Sequence, residues 1–227
     1  MKKAPQEYSL HSAFTMIELV FVIVIIGILA TVIIPSTRTN PLREAAIQLV
    51  SHIRYTQHLA MVDDKYQVSD ANWYKKRWQI RFTSNGGSAG KESYTIYSDN
   101  IGGSAGNPDI NEIAVNPSNP SQRLTGGWNS SQLKINESNF IGTKKLNLGM
   151  SYGIMSITLS NSCSVNGSKS IAFDYLGRPI KGNLSSNSNS YEANDLIKND
   201  CNITLSDGTE TAVIQISPET GYAKVIY

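Results

Sequence analysis

FTMIELVFVIVIIGILATVIIP, residues 14–35, is the stretch on which the reading of the chain turns. From Phe14 to Ile34 only Thr15, Glu18 and Thr31 interrupt the apolar run. A span of roughly 20 such residues is what an α-helix needs to cross a bilayer core, so the pattern predicts a transmembrane helix over 14–35. Glu18 is the exception within it, because an acid in a lipid-facing helix costs on the order of 2.5–3.5 kcal/mol at the bilayer centre. Such a residue is read as functional, with a partner to be found. Two plainer readings stand beside this one: a carboxylate at headgroup level, or one in the first helical turn, where the macrodipole favours it.

Working outward, residues 1–13 are polar and carry Lys2 and Lys3 ahead of the apolar run. That charge bias predicts a cytoplasmic N-terminus with the remainder across the membrane. A secretory signal would end in a small-residue cleavage site after its apolar segment. Here Pro35, Ser36 and Thr37 follow, and the small residue of interest, Ala13, precedes the run.

These residues resemble the start of the type IV pilins and of the pseudopilins of type II secretion, whose precursors join a short basic leader to a mature segment of the FTMIEL type. The resemblance implies that a prepilin peptidase cuts between Ala13 and Phe14 and that the new amine of Phe14 is methylated. It also implies that Glu18 takes part in subunit assembly by pairing with the N-terminal amine of a neighbouring subunit. Burying two opposite charges together leaves neither unpaired, and such a pair can set register. The family commonly has Gly where this chain has Ala13.

Past Pro35, the segment STRTN is polar, and Asn40-Pro41 with Glu44 reads as an N-cap and first-turn proline. Leu42, Ala46, Leu49, Ile53, Thr56 and Ala60 then recur at helical spacing, which predicts an amphipathic section over 36–62. Were 14–62 continuous, the rod would be roughly 75 Å long. The fold class expected is α+β: a pilin-like fold in which a long N-terminal spine helix, transmembrane in its first half, packs on an antiparallel β-sheet domain. The organisation expected is a leader over 1–13, a membrane helix over 14–35, the amphipathic section over 36–62 and a periplasmic β-rich domain over 63–227.

After Asp63-Asp64 the composition shifts to Ser, Asn, Gly, Tyr and β-branched residues. Alternation predicts strands at 77–83 and 94–98, joined as a hairpin through 85–91. Residues 101–127, punctuated by Pro108, Pro117 and Pro120, read as a long loop with one short strand near 110–115. Further strands are expected at 132–135, 153–159 and 170–175. The clearest prediction is a C-terminal meander: 201–205, 211–217 and 222–227, with turns at 206–208 and 218–221. IAFDYLGRP (171–179) with the strands after it resembles the C-terminal half of minor pseudopilins of the GspH/FimT type.

Cys163 and Cys201 lie on the predicted periplasmic side, where disulfides persist. Bridging them closes a loop of about 39 residues and predicts stabilisation of about 4 kcal/mol. The alternatives are free buried thiols or a metal site, the latter disfavoured by having two sulfurs and no close His.

The remaining candidates are chemical. GGSAG occurs at 86–90 and 102–106 and fits the nucleophile-elbow pattern around Ser88 and Ser104, but neither has the strand–turn–helix context. His52 and His58, six apart, do not share a helical face. Asp195, Asp200 and Asp207 lack EF-hand spacing and read as turn residues. No metal, no cofactor and no enzymatic activity are therefore expected. Trp73, Lys75, Lys76, Arg77 and Trp78 interleave aromatics with cations, as non-specific nucleic-acid binders do. With 20 basic and 18 acidic residues, net +2, the charge balance favours a strand entry whose aromatics cover the core.

The leading expectation is a minor pseudopilin, a structural subunit of a periplasmic pseudopilus of a type II secretion system. Its expected partners are prepilin peptidase, other pilins and an inner-membrane assembly platform, and its expected place is the bacterial inner membrane as a single-pass protein. The second reading is a minor type IV pilin of a pilus or competence system that binds DNA.

Overall fold

Asn40 and Pro41 start a new helix instead of continuing the old one, as an N-cap followed by a first-turn proline does. The computed structural model describes residues 15–36, 40–100, 106–165, 167–192 and 195–226. In it α1 spans Met16–Ser36 and α2 spans Pro41–Val62. The chain divides after Asn40 into two units, so the expected single spine helix is corrected to two separate helices. Among the described residues, no helix is long and apolar enough to cross a membrane. This corrects the transmembrane helix over 14–35 and the single-pass inner-membrane placement built on it. The run free of polar side chains, Leu19 to Ala30, is about 18 Å of helix against a hydrocarbon core of about 30 Å.

The second unit is mostly β. Its strands are β1 (Trp78–Thr83), β2 (Ser93–Ser98), β3 (Val115–Asn116), β4 (Asn119–Arg123), β5 (Ser156–Leu159), β6 (Ser170–Phe173), β7 (Pro179–Lys181), β8 (Cys201–Ser206), β9 (Thr211–Ile216) and β10 (Ala223–Ile226). A short helix, α3 (Leu148–Tyr152), precedes β5. One antiparallel sheet has the order β2-β1-β6-β7, a second β10-β9-β8-β5, and β3 and β4 form a small ribbon. The predicted hairpin of β1 and β2 is present, with Ile80 opposite Ile96 and Phe82 opposite Tyr94. So is the C-terminal meander of β8, β9 and β10.

The pilin-like arrangement of one long helix on one sheet is thus replaced by a 22-residue helix, α2, packed against strands of both four-stranded sheets. Its apolar face explains the contact. Leu42, Ala45, Ala46, Leu49, Val50, Ile53, Thr56 and Ala60 are buried, and they join Ile80, Ile96, Ile171, Phe173, Ile203 and Ile214 in the main core. Polar residues fasten the rim of the helix. Gln57 Nε2 donates to the carbonyls of Gly177 at 2.8 Å and Thr220 at 2.7 Å, and Arg54 donates to that of Ala223. Residues 132–135 form a turn instead of the expected strand, with Gln132 in the left-handed region, although Leu133 and Ile135 are buried.

Cys163 and Cys201 are bridged, tying the segment after β5 to the start of β8. On the α2 side of the first sheet, Tyr94 is fully buried, and its hydroxyl is met by Gln48 Nε2 at 3.0 Å and His52 Nδ1 at 2.5 Å. Tyr152 donates to Gln48 Oε1 at 2.8 Å. Burial pushes His52 down to about 4, so the fold holds it neutral. The unfolded chain takes up this proton near pH 6.5, and stability is therefore lost as pH falls from about 6.5 to about 4, by about 3 kcal/mol in all. Urea titrations at several pH values should show that loss in the wild type and a clearly smaller one in His52→Asn.

Candidate functional site

The N-terminal end of α1 is built by a reciprocal cap. Glu18 Oε2 accepts from the Thr15 backbone N–H at 3.0 Å and from Thr15 Oγ1 at 2.9 Å, while the Glu18 N–H donates to Thr15 Oγ1 at 3.3 Å. This is a capping box, in which a Thr and a Glu three residues apart satisfy two helix-end donors. Of the readings of Glu18, the structure displays the first-turn one. Ala13 and Phe14, the expected cleavage and methylation positions, lie outside the described residues. Beyond the cap, α1 has no polar face. Twelve large apolar side chains from Met16 to Leu29 are exposed, from 40% at Ile25 to 87% at Met16.

The aromatic and basic cluster is not gathered on one surface. Trp73–Lys76 forms a 3-10 turn leading into β1. Lys76 is ion-paired with Asp70 at 2.7 Å. Trp78 donates its indole N–H to Asp63 at 2.8 Å, and Lys65 lies over its ring. Arg77 turns inward and is only 4% exposed. Its guanidinium lies 5.0 Å from the Trp73 ring centre and 4.5 Å from that of Tyr191, and it donates to the Ser190 carbonyl at 2.6 Å. Arg178 covers the same Tyr191 at 5.3 Å and donates through Nε to Asp174 at 2.7 Å. Asp174 is fully buried and also accepts from the Tyr191 hydroxyl at 2.9 Å. Guanidinium and ring alternate through Trp73, Arg77, Tyr191 and Arg178, an arrangement that holds residues 190–191 against the start of β1. Lys75 is left beside Tyr74. A phosphate-binding surface needs its cations at the surface, and here Arg77 is spent internally.

The other candidates are also placed. Ser88 is buried and donates to the Asn85 carbonyl at 2.9 Å, while Ser104 lies outside the described residues. Asp207 caps its own turn, accepting from the amides of Thr209 and Glu210 at 2.8 Å each. Asp195 accepts from Asn187 Nδ2 at 2.7 Å, and Asp200 from Gln215 Nε2 at 2.9 Å. Among the described residues, no group of three or more His, Cys, Asp or Glu side chains is placed to hold a metal ion. The sequence reading passed over Tyr191 because its partner Arg77 stands far away in the chain, whereas Asp174 meets Arg178 only four residues on. No protein-family model matches the chain, and no curated protein or solved structure matches it.

Proposed function

We propose that the chain is a structural subunit of a pseudopilus of the type II secretion kind, cut by a prepilin peptidase between Ala13 and Phe14 and assembled through its N-terminal helix. The observation that carries this reading is the exposure of α1 on every described side, from Met16 to Leu29. Moving one such side chain out of water is worth on the order of 1.5–3 kcal/mol, so a helix with twelve of them is strongly driven to pack among others of its kind. The FTMIEL start supports the same reading. The disulfide supports it too, since such bonds persist in oxidising compartments outside the cytosol.

Glu18 has two separable jobs in this account: its oxygen caps α1, and its charge meets the amine of a neighbour. Val22→Cys in the full chain, produced together with the other pilin-type subunits and a prepilin peptidase, is expected to give disulfide-linked subunits on oxidation. Glu18→Gln keeps a capping acceptor and removes the charge, and it is expected to reduce that crosslinking sharply. Filaments that form while Val22→Cys stays monomeric would sink the proposal.

A further inference from the structure

In β1, Ile80 and Phe82 turn into the main core beside α2, so Arg81 between them points to the opposite face of the first sheet. There it lines a cleft of about 440 Å³ together with Ser168, Lys181, Ser186, Glu192 and Asp195. That volume lies within the roughly 300–1,000 Å³ of sites for small ligands. Ser170 stands directly opposite Arg81 in the ladder of β1 and β6 and so shares its face. It is fully buried, and its hydroxyl has no hydrogen-bond partner. Gln79, two residues before Arg81 on the same face, is fully buried too, with both ends of its carboxamide unpartnered. Buried polar groups are normally paired, and here two of them flank Arg81 with hydrogen bonds still to give.

The charges of the cleft are matched in sign and yet not spent on one another. Ile180 and Leu196 form an antiparallel bridge, which sets Lys181 opposite Asp195, and the Lys181 amide donates to the Asp195 carbonyl at 2.9 Å. Their side chains do not pair. The Asp195 carboxylate accepts instead from Asn187 Nδ2 at 2.7 Å and from the Glu192 amide at 2.9 Å. Among the described residues the Lys181 ammonium has no ionic or hydrogen-bonding partner, and neither do the Ser168 and Ser186 hydroxyls. Glu192 gives Oε1 to the Ser188 amide at 2.7 Å and keeps Oε2. Arg81 is anchored on the Gly106 carbonyl and lies 5.1 Å from the Trp128 ring centre, which leaves Lys181 as the cation open to a ligand. Two cations and two carboxylates cancel, so a bare anion or a bare metal ion meets as much repulsion as attraction. A molecule carrying both signs gains at each end, its carboxylate on Lys181 and its ammonium on Glu192.

We infer that this cleft binds a zwitterionic α-amino acid, a role separate from subunit assembly. The test is an amide NMR titration of the full chain in detergent with alanine, serine and glutamate, and with sodium acetate, methylammonium chloride and calcium chloride as comparison probes. At least one of the amino acids is expected to shift the Ser168 and Gly182 amide resonances, both from the cleft wall, saturably. Acetate and methylammonium, each carrying one charge, should shift them little at the same concentration. Lys181→Met keeps the stem and removes the charge, and Glu192→Gln keeps an acceptor for the Ser188 amide. Each should weaken that amino acid by about tenfold or more, the loss of one hydrogen bond to a charged group. No saturable shift with any of the amino acids overturns the inference, and this arm needs neither variant to fold. So does a shift that acetate, methylammonium or calcium alone reproduces, or an affinity that either folded variant leaves unchanged.

Discussion

Gly87→Ala is expected to leave the chain unable to reach its native fold, while Gly86→Ala, one residue earlier, is expected to be almost silent. A Cβ at position 87 would run into the Trp128–Asn129 peptide, 2.0 Å from the Trp128 carbonyl carbon, 2.1 Å from its oxygen and 2.4 Å from the Asn129 nitrogen. Backbone at that distance cannot rotate away as a side-chain end can, and Trp128 belongs to a core cluster with Tyr97, Ile113 and Leu133. The loss should exceed about 4 kcal/mol, beyond the range of ordinary substitutions. A Cβ at position 86 would meet nothing within 4 Å, so its effect should stay within about 1 kcal/mol. Circular dichroism and urea unfolding of the two variants side by side measure the contrast. A Gly87→Ala protein as stable as the wild type would refute the close approach of these two segments.

The second large effect concerns Cys163 and Cys201. Replacing both by Ser should cost about 4 kcal/mol, the closure entropy of a loop of about 39 residues. Both sulfurs are buried and the bridge anchors the first residue of β8, the strand through which β9 joins β5 in the second sheet. The change should therefore lower the urea midpoint without altering the sheet content. Thiol labelling of the unreduced native protein should modify neither cysteine. Labelling of both would show that the bridge does not form.

Several parts of this architecture are visible in the residues themselves. The face of α2 is one, because Leu42, Ala46, Leu49, Ile53, Thr56 and Ala60 repeat with the helical period and all are buried. The C-terminal meander is another, since Ser206-Asp207-Gly208 and Pro218 to Gly221 supply turn chemistry at both bends. The break between α1 and α2 was written in Asn40-Pro41, yet the apolar run before it suggested one rod and one membrane span. β7 escaped notice because it begins at Pro179, which reads as a turn residue after Gly177. A proline is tolerated at the first position of a strand, where it need not donate to the ladder. Leu133 and Ile135 have the alternation of a strand and serve as core residues from a turn.

The inward course of Arg77 is the case where local sequence could not have sufficed. Its run of cations at 75–77 suggested a solvated surface, and what withdraws it is a carbonyl at Ser190 and a ring at Tyr191, more than a hundred residues later. The same holds for the cleft lined by Asn85, Asn107 and Asn129, which come from three separate loops. Glu18 differs from both. Its cap lies three residues away and is legible in the sequence, whereas the meeting with a neighbour's amine depends on a second subunit.

The most direct test of the proposed role is the intact mass and N-terminal sequence of the full chain made with and without a prepilin peptidase. The account predicts that with the enzyme the chain begins at Phe14, thirteen residues shorter and carrying one methyl group on its new amine, and that without it the leader remains. A chain that keeps residues 1–13 in the presence of an enzyme that processes a known pilin precursor in the same cells would contradict it.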